Sequence, residues 1–183
     1  MLIQETIELL VILILISGLA TAFAVATVFA LYLRVRRPPA HLMFMNSAAS
    51  TTATLLASLV LTDNRKLFLT FLFFVAYFFI YNSLGRHIIS YDDTFRVLFL
   101  SMGYTREEFF MNYLLVQGKW KLIESNISFA SSSALIMTFS REMSRFFPDQ
   151  WVGVILVFAL STFTLSVSRW VGEDFRNKLS KEE

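Results

Sequence analysis

From Leu9 to Leu33 the chain runs 25 residues without an Asp, Glu, Lys or Arg. As an α-helix rising 1.5 Å per residue, such a run covers about 38 Å, enough to cross a hydrocarbon core of about 30 Å with some tilt. A helix this apolar has no polar face to offer water, so it constrains the chain to fold in a bilayer. There, helices satisfy their own backbone groups. Composition agrees: of 183 residues, 56% are apolar and 16% charged, and the mean hydropathy is +0.59. The start, Met1-Leu2-Ile3-Gln4-Glu5, is acidic where a secretory leader is basic, which predicts a retained helix.

Four further spans are expected, at about 42–62, 67–84, 122–140 and 151–168, after the first at 9–33. The second is uncharged but rich in Ala, Ser and Thr, which suits the inside of a bundle. The third carries six Phe and two Tyr and is expected to face lipid in part. The fourth contains Glu124, with Lys119, Trp120 and Lys121 just before it in the manner of a membrane interface. Glu124 is expected to reach head-group water or to pair with one of those lysines. The fold class read from this pattern is all-α: a polytopic integral membrane helical bundle of about five transmembrane helices with a cytoplasmic helix-turn-helix segment. It forms a single membrane domain over 1–183, with the cytoplasmic segment at 85–121 and a C-terminal tail at 169–183.

Five spans put the termini on opposite sides, and the basic residues choose which. With the N-terminus outside, twelve fall in the cytoplasm: Arg34, Arg36, Arg37, Arg86, Arg96, Arg106, Lys119, Lys121, Arg169, Arg176, Lys178 and Lys181. Four remain outside: Arg65, Lys66, Arg141 and Arg145. The positive-inside bias therefore predicts N-out and C-in, in a prokaryotic inner (cytoplasmic) membrane. It also accounts for a pI near 9.0 without nucleic acid as a partner.

Little chemistry is visible. There is no cysteine, and only His41 and His87 represent histidine, so neither a thiolate site nor a histidine-rich metal cluster is expected. Both histidines read as interfacial polar residues. No charge lies near the middle of a span, which argues against ion-coupled transport. No phosphate-cradling Gly-rich loop is present. The chain is thus expected to be no enzyme, with no catalytic, cofactor-binding or metal-binding residues of its own. Pro38-Pro39 should end the first helix and stiffen the turn after it. Asn126-Ile127-Ser128 matches a glycosylation acceptor but falls inside a span.

Gly18, Ala22, Ala26 and Ala30 recur every fourth residue, as do Ala49, Ala53 and Ala57, and beside them Ser50, Thr54 and Ser58. Small residues at this spacing let helix backbones approach closely. Ala and Gly are also simply frequent in membrane helices. Taken as packing faces, these stripes call for other membrane protein subunits as partners.

The connection from 85 to 121 is long for a compact bundle, and long connections are often functional. Asp92, Asp93 and Thr94 are expected to cap a short helix from Phe95 to Met102, and Gly103 to occupy the left-handed position that ends it. Thr105 and Glu108 have capping-box spacing, so a second helix should begin at Arg106. The first helix is apolar through Phe95, Val97, Leu98, Phe99, Leu100 and Met102 and needs a cover. Either the membrane surface or a groove on a soluble partner would provide one, and physics alone favours the membrane surface.

Three stretches resemble the core of FtsX-like permease domains of ABC transporters, the family of MacB- and LolC-like proteins. They are Ile80-Tyr81-Asn82-Ser83-Leu84, the run from Phe95 to Glu108, and Leu114-Leu115-Val116-Gln117-Gly118. The order of spans two to five also fits a four-helix unit of that family. The large extracellular domain usual in such a unit is replaced by Thr62-Asp63-Asn64-Arg65-Lys66, and the Gly103 to Gly118 interval is one residue longer than the family pattern. The resemblance implies that Phe95, Leu98, Met102, Gly103 and Tyr104 contact a separate cytoplasmic ATPase, whose closure moves the helices. A non-catalytic structural or accessory subunit of a larger complex is the rival expectation, and a homo-oligomeric channel lined by Ser and Thr of the second span a third.

Overall fold

The computed structural model describes residues 2–35, 45–61 and 64–179, and every regular element among them is helical. In chain order these are α1 (Leu2–Val35), α2 (Ser47–Val60), α3 (Arg65–Ser101), α4 (Arg106–Phe109), a π-helical turn (Phe110–Leu114), α5 (Leu115–Phe146) and α6 (Trp151–Leu179). Among the described residues, three stretches are long and apolar enough to cross a membrane: Thr6–Arg34, Arg65–Asp92 and Trp151–Gly172. They contain the expected spans at 9–33, 67–84 and 151–168.

The other two expected spans differ. In place of 42–62 stands α2, only 14 residues long and so about 21 Å. The stretch 122–140 lies within α5, whose Ser-rich sequence and Glu124 keep its hydropathy low. Helix ends also differ from the sequence reading. The chain does not leave the helical state at Leu84 or at Ser168, where charge begins: α3 continues to Ser101 and α6 to Leu179. Pro38-Pro39, His41 and Lys181 lie outside the described residues.

Contacts fix the direction of each helix. Phe23 of α1 meets Phe73 of α3, and nearer the other end Tyr32 meets Asp92, so α1 and α3 run parallel. Phe79 and Phe129 pack together, as do Ser83 and Ser125, making α5 antiparallel to α3. α2 and α6 are antiparallel through the pairs Asn46 with Ser166 and Thr52 with Thr162. Phe139 on α5 stacks edge-on against Phe158 on α6 across the short link that joins them. Helices α1, α2, α3, α5 and α6 therefore alternate in direction. One end of the bundle gathers Arg34, Arg86, Arg96, Arg106, Lys119, Lys121 and Arg169, and the other Arg65, Lys66, Arg141 and Arg145.

The interior is built from aromatic and small side chains. α1 buries Leu13, Ser17, Ala20, Ala24, Val28 and Tyr32 on one stripe, and α3 buries Val75, Ala76, Ile80, Tyr81 and Leu84. Polar pairs tie helices together. Asn126 Nδ2 donates to Thr21 Oγ1 at 2.8 Å, joining α5 to α1, and Asn82 Nδ2 donates to the Met45 carbonyl at 2.7 Å. Measured interhelical hydrogen bonds of this kind contribute about 0.6 kcal/mol each in membranes, so they set register more than stability. Asn126 of the glycosylation-like tripeptide is thus packed against α1.

The outward surface is apolar. On α1 it presents Leu15, Leu19 and Phe23, and on α6 Val157, Phe158, Leu160, Phe163 and Leu165, all exposed. Apolar surface this continuous is not stable against water and calls for lipid or another protein.

Candidate functional site

Beyond the apolar part of α3 the chain forms a helical hairpin, not the isolated short helix expected after Asp92. α3 passes through Asp92, Asp93 and Thr94 without a break and stops only at Ser101. Asp92 does not cap a helix start because it has a stronger role. It is buried, accepts a 2.7 Å hydrogen bond from the Tyr32 hydroxyl of α1 through Oδ1, and faces Arg96 at 3.7 Å through Oδ2.

The turn that reverses the hairpin is built as the sequence indicated. Gly103 has φ +89°, a conformation that favours glycine. Its N–H donates to the Leu100 carbonyl, and that of Tyr104 to the Phe99 carbonyl, so two terminal carbonyls of α3 are satisfied. Thr105 and Glu108 then form a complete capping box. Glu108 N–H donates to Thr105 Oγ1, while Thr105 N–H donates to the Glu108 carboxylate at 2.9 Å. These bonds from Thr105, backbone first and hydroxyl second, hold the Glu108 carboxyl below the usual range.

The two arms are held by an aromatic ladder at helical spacing. His87, Tyr91, Phe95 and Phe99 follow every fourth residue along α3. His87 packs on Tyr91 with centroids 4.5 Å apart, and Phe99 meets Tyr113 at 4.6 Å and Phe109 at 5.0 Å. Tyr113 also contacts Tyr91 and Phe95, so one ring closes three rungs. At the base, Gly118 lets the arms approach: a Cβ there would lie 3.2 Å from the His87 ring and 3.4 Å from Leu84. The π-helical turn at 110–114 lets neighbouring residues serve two partners. Phe109 faces the hairpin, while Phe110 packs on Phe29 and Tyr32 of α1.

With the ladder turned inward, the opposite face of the tip is left uncovered. Val97 is 79% exposed, Leu98 51%, Met102 65% and Tyr104 41%. Of the residues expected to contact a partner, Leu98, Met102, Gly103 and Tyr104 lie on the outer surface, and Phe95 is half-buried in the ladder. The hairpin is therefore a stiff arm with an apolar tip, tied to α1 by Tyr32 and Phe110. Lys121 and Glu124, just below it, pair at 3.0 Å.

The small-residue stripes have separate fates. Gly18, Ala22, Ala26 and Ala30 are all exposed on α1, while Ala49 and Ala53 are half-buried and Ala57 is buried on α2. Ser50, Thr54 and Ser58 are buried beside them. Sequence reasoning missed the Tyr32, Asp92 and Arg96 cluster. It also missed the ladder, although the spacing of four between its rings was visible. Among the described residues no group of His, Asp and Glu is arranged to hold a metal ion. No protein-family model, curated protein or solved structure matches this chain.

Proposed function

We propose that the chain is a polytopic membrane subunit that docks a cytoplasmic partner through the 85–118 hairpin, in the manner of an FtsX-like permease coupled to a separate ATPase. The observation that carries this reading is the exposed apolar tip on a braced hairpin. From Asp92, where the apolar stretch of α3 ends, the same helix continues nine residues to Ser101, about 14 Å of further rise. A tip carried that far along the helix axis is poorly placed to lie on the membrane surface. A groove on a soluble protein is the better cover for Val97, Leu98, Met102 and Tyr104.

The membrane arrangement that goes with this proposal has five crossings. α1, α3 and α6 are long and apolar, and the alternating directions of these five helices suit α2 and α5 as the returns. α5 packs against α1, α2, α3 and α6, which gives a physical reason for its weak hydropathy: much of its surface meets helices rather than lipid. The end bearing Arg34, Arg86, Arg96, Lys119, Lys121 and Arg169 is read as cytoplasmic, with the N-terminus outside. A prokaryotic inner membrane is the setting proposed.

The test is copurification in mild detergent with identification of every bound chain, for the unaltered protein and for Leu98→Glu. Because Leu98 is exposed, the variant should stay folded and lose the ATPase by tenfold or more. Undiminished binding after that change, or a preparation that never carries an ATPase, would sink the proposal. One observation favours a second reading, a structural subunit of a larger assembly: among the described residues no helix covers the Gly18, Ala22, Ala26 and Ala30 face. Copurification with other membrane chains but no ATPase is its expected signature.

A further inference from the structure

Where α2 ends and α3 begins, the two helices leave an open groove of about 480 Å³ lined by Leu56, Ala57, Val60, Leu61, Leu67, Thr70, Phe71 and Phe74. Its size lies within the usual range for small-ligand sites. Apart from Thr70, whose hydroxyl donates to the Lys66 carbonyl, the lining side chains are apolar. Val60, Leu67 and Phe74 are each more than half exposed, so nothing among the described residues closes the groove.

Two cations stand at the start of α3, beside the groove. Lys66 precedes Leu67 by one residue and lies one helical turn before Thr70, on the edge of the lined face, and Arg65 begins the helix. Both are exposed, and among the described residues neither has an ion-pair partner. Apolar walls with two unpaired cations at the adjoining helix start match the chemistry of an acyl chain joined to a phosphate.

We propose that this groove binds a single anionic phospholipid, one acyl chain lying between α2 and α3 and the phosphate meeting Lys66 and Arg65. The site is at the opposite end of the bundle from the hairpin, so it stands whether or not the hairpin docks a partner. It would make one lipid a stoichiometric component of the fold, holding the α2–α3 corner where no side chain among the described residues fills the groove.

The test is native mass spectrometry of the full chain, delipidated in mild detergent and titrated with phosphatidylglycerol or with phosphatidylcholine of the same acyl chains. One phosphatidylglycerol should be retained, with at least fivefold preference over phosphatidylcholine, the factor expected from about one well-placed cation. Arg65→Gln with Lys66→Gln should abolish the preference. Thr70→Trp, which fills the groove from an exposed position, should lower retention of both lipids at least fivefold, while Leu160→Trp on the outer face of α6 should not. Equal retention of the two lipids by the unaltered chain, or equal effects of the two tryptophans, overturns the proposal. The glutamine pair keeps the test decisive should Thr70→Trp disturb folding.

Discussion

Replacing Tyr32 by Phe removes one oxygen and leaves the ring where it packs on Phe110, 5.4 Å between centroids. The oxygen is the hydrogen-bond donor to Asp92, at 2.7 Å, and both residues are only 2% exposed. A hydrogen bond to a charged group contributes about 1.5–3 kcal/mol. The other carboxylate oxygen has no hydrogen bond and only the 3.7 Å approach of Arg96, so Asp92 has no second donor to fall back on. We therefore expect Tyr32→Phe to cost about 2–3 kcal/mol, short of the 3–5 kcal/mol seen when a buried ion pair loses a whole partner. Asp92→Leu should also destabilise, by about 1–3 kcal/mol, because it leaves the buried Tyr32 hydroxyl unpaired. The double variant removes both polar groups together and should be no less stable than the worse single one, a coupling that distant, independent sites do not show. Unfolding in mixed detergent and dodecyl sulfate micelles measures the three values. Amide hydrogen exchange over residues 88–99 locates the loss at the root of the hairpin. Additive single effects, or a Tyr32→Phe cost below about 0.5 kcal/mol, would refute the claim that this bond anchors the hairpin to α1.

Two smaller changes test the hairpin itself. Gly103→Ala places a Cβ at φ +89° and should cost about 1–2 kcal/mol, seen as faster exchange at the turn with no change in the bundle. Acidification should fray α4: the Glu108 carboxyl is held low by Thr105, so its contribution is whole above the ordinary Glu range and disappears as pH falls through the lowered value. Hydrogen exchange at Arg106 to Phe109 across that window reads this directly, and Glu108→Gln should remove the pH dependence.

What the sequence made legible was local. The uncharged run of α1, the φ-positive Gly103 and the Thr105 to Glu108 box are each decided by neighbours within a few residues. Asp92 shows the opposite case. Beside Asp93 and Thr94 it has the composition of a helix start, yet its fate is set by Tyr32, sixty residues earlier. The same holds for α5, where Ser125 and Asn126 read as weakness in a span until Ser83 and Thr21 are seen beside them. Charge was a poor guide to where helices stop, since α3 runs on past Arg86 and α6 past Arg169.

The π-helical turn at Phe110–Leu114 has a consequence for how the chain tolerates length change. A residue added to an α-helix rotates everything after it by about 100°, which would carry Gly118 away from His87 and close the gap that lets the arms meet. A turn with i to i+5 bonding takes up one residue more than its α-helical counterpart, so the added phase is spent locally. The wide turn lies between Gly103, which reverses the hairpin, and Gly118, where the arms meet. A surplus residue can thus be stored as a bulge facing α1 while the helix downstream keeps its angular address.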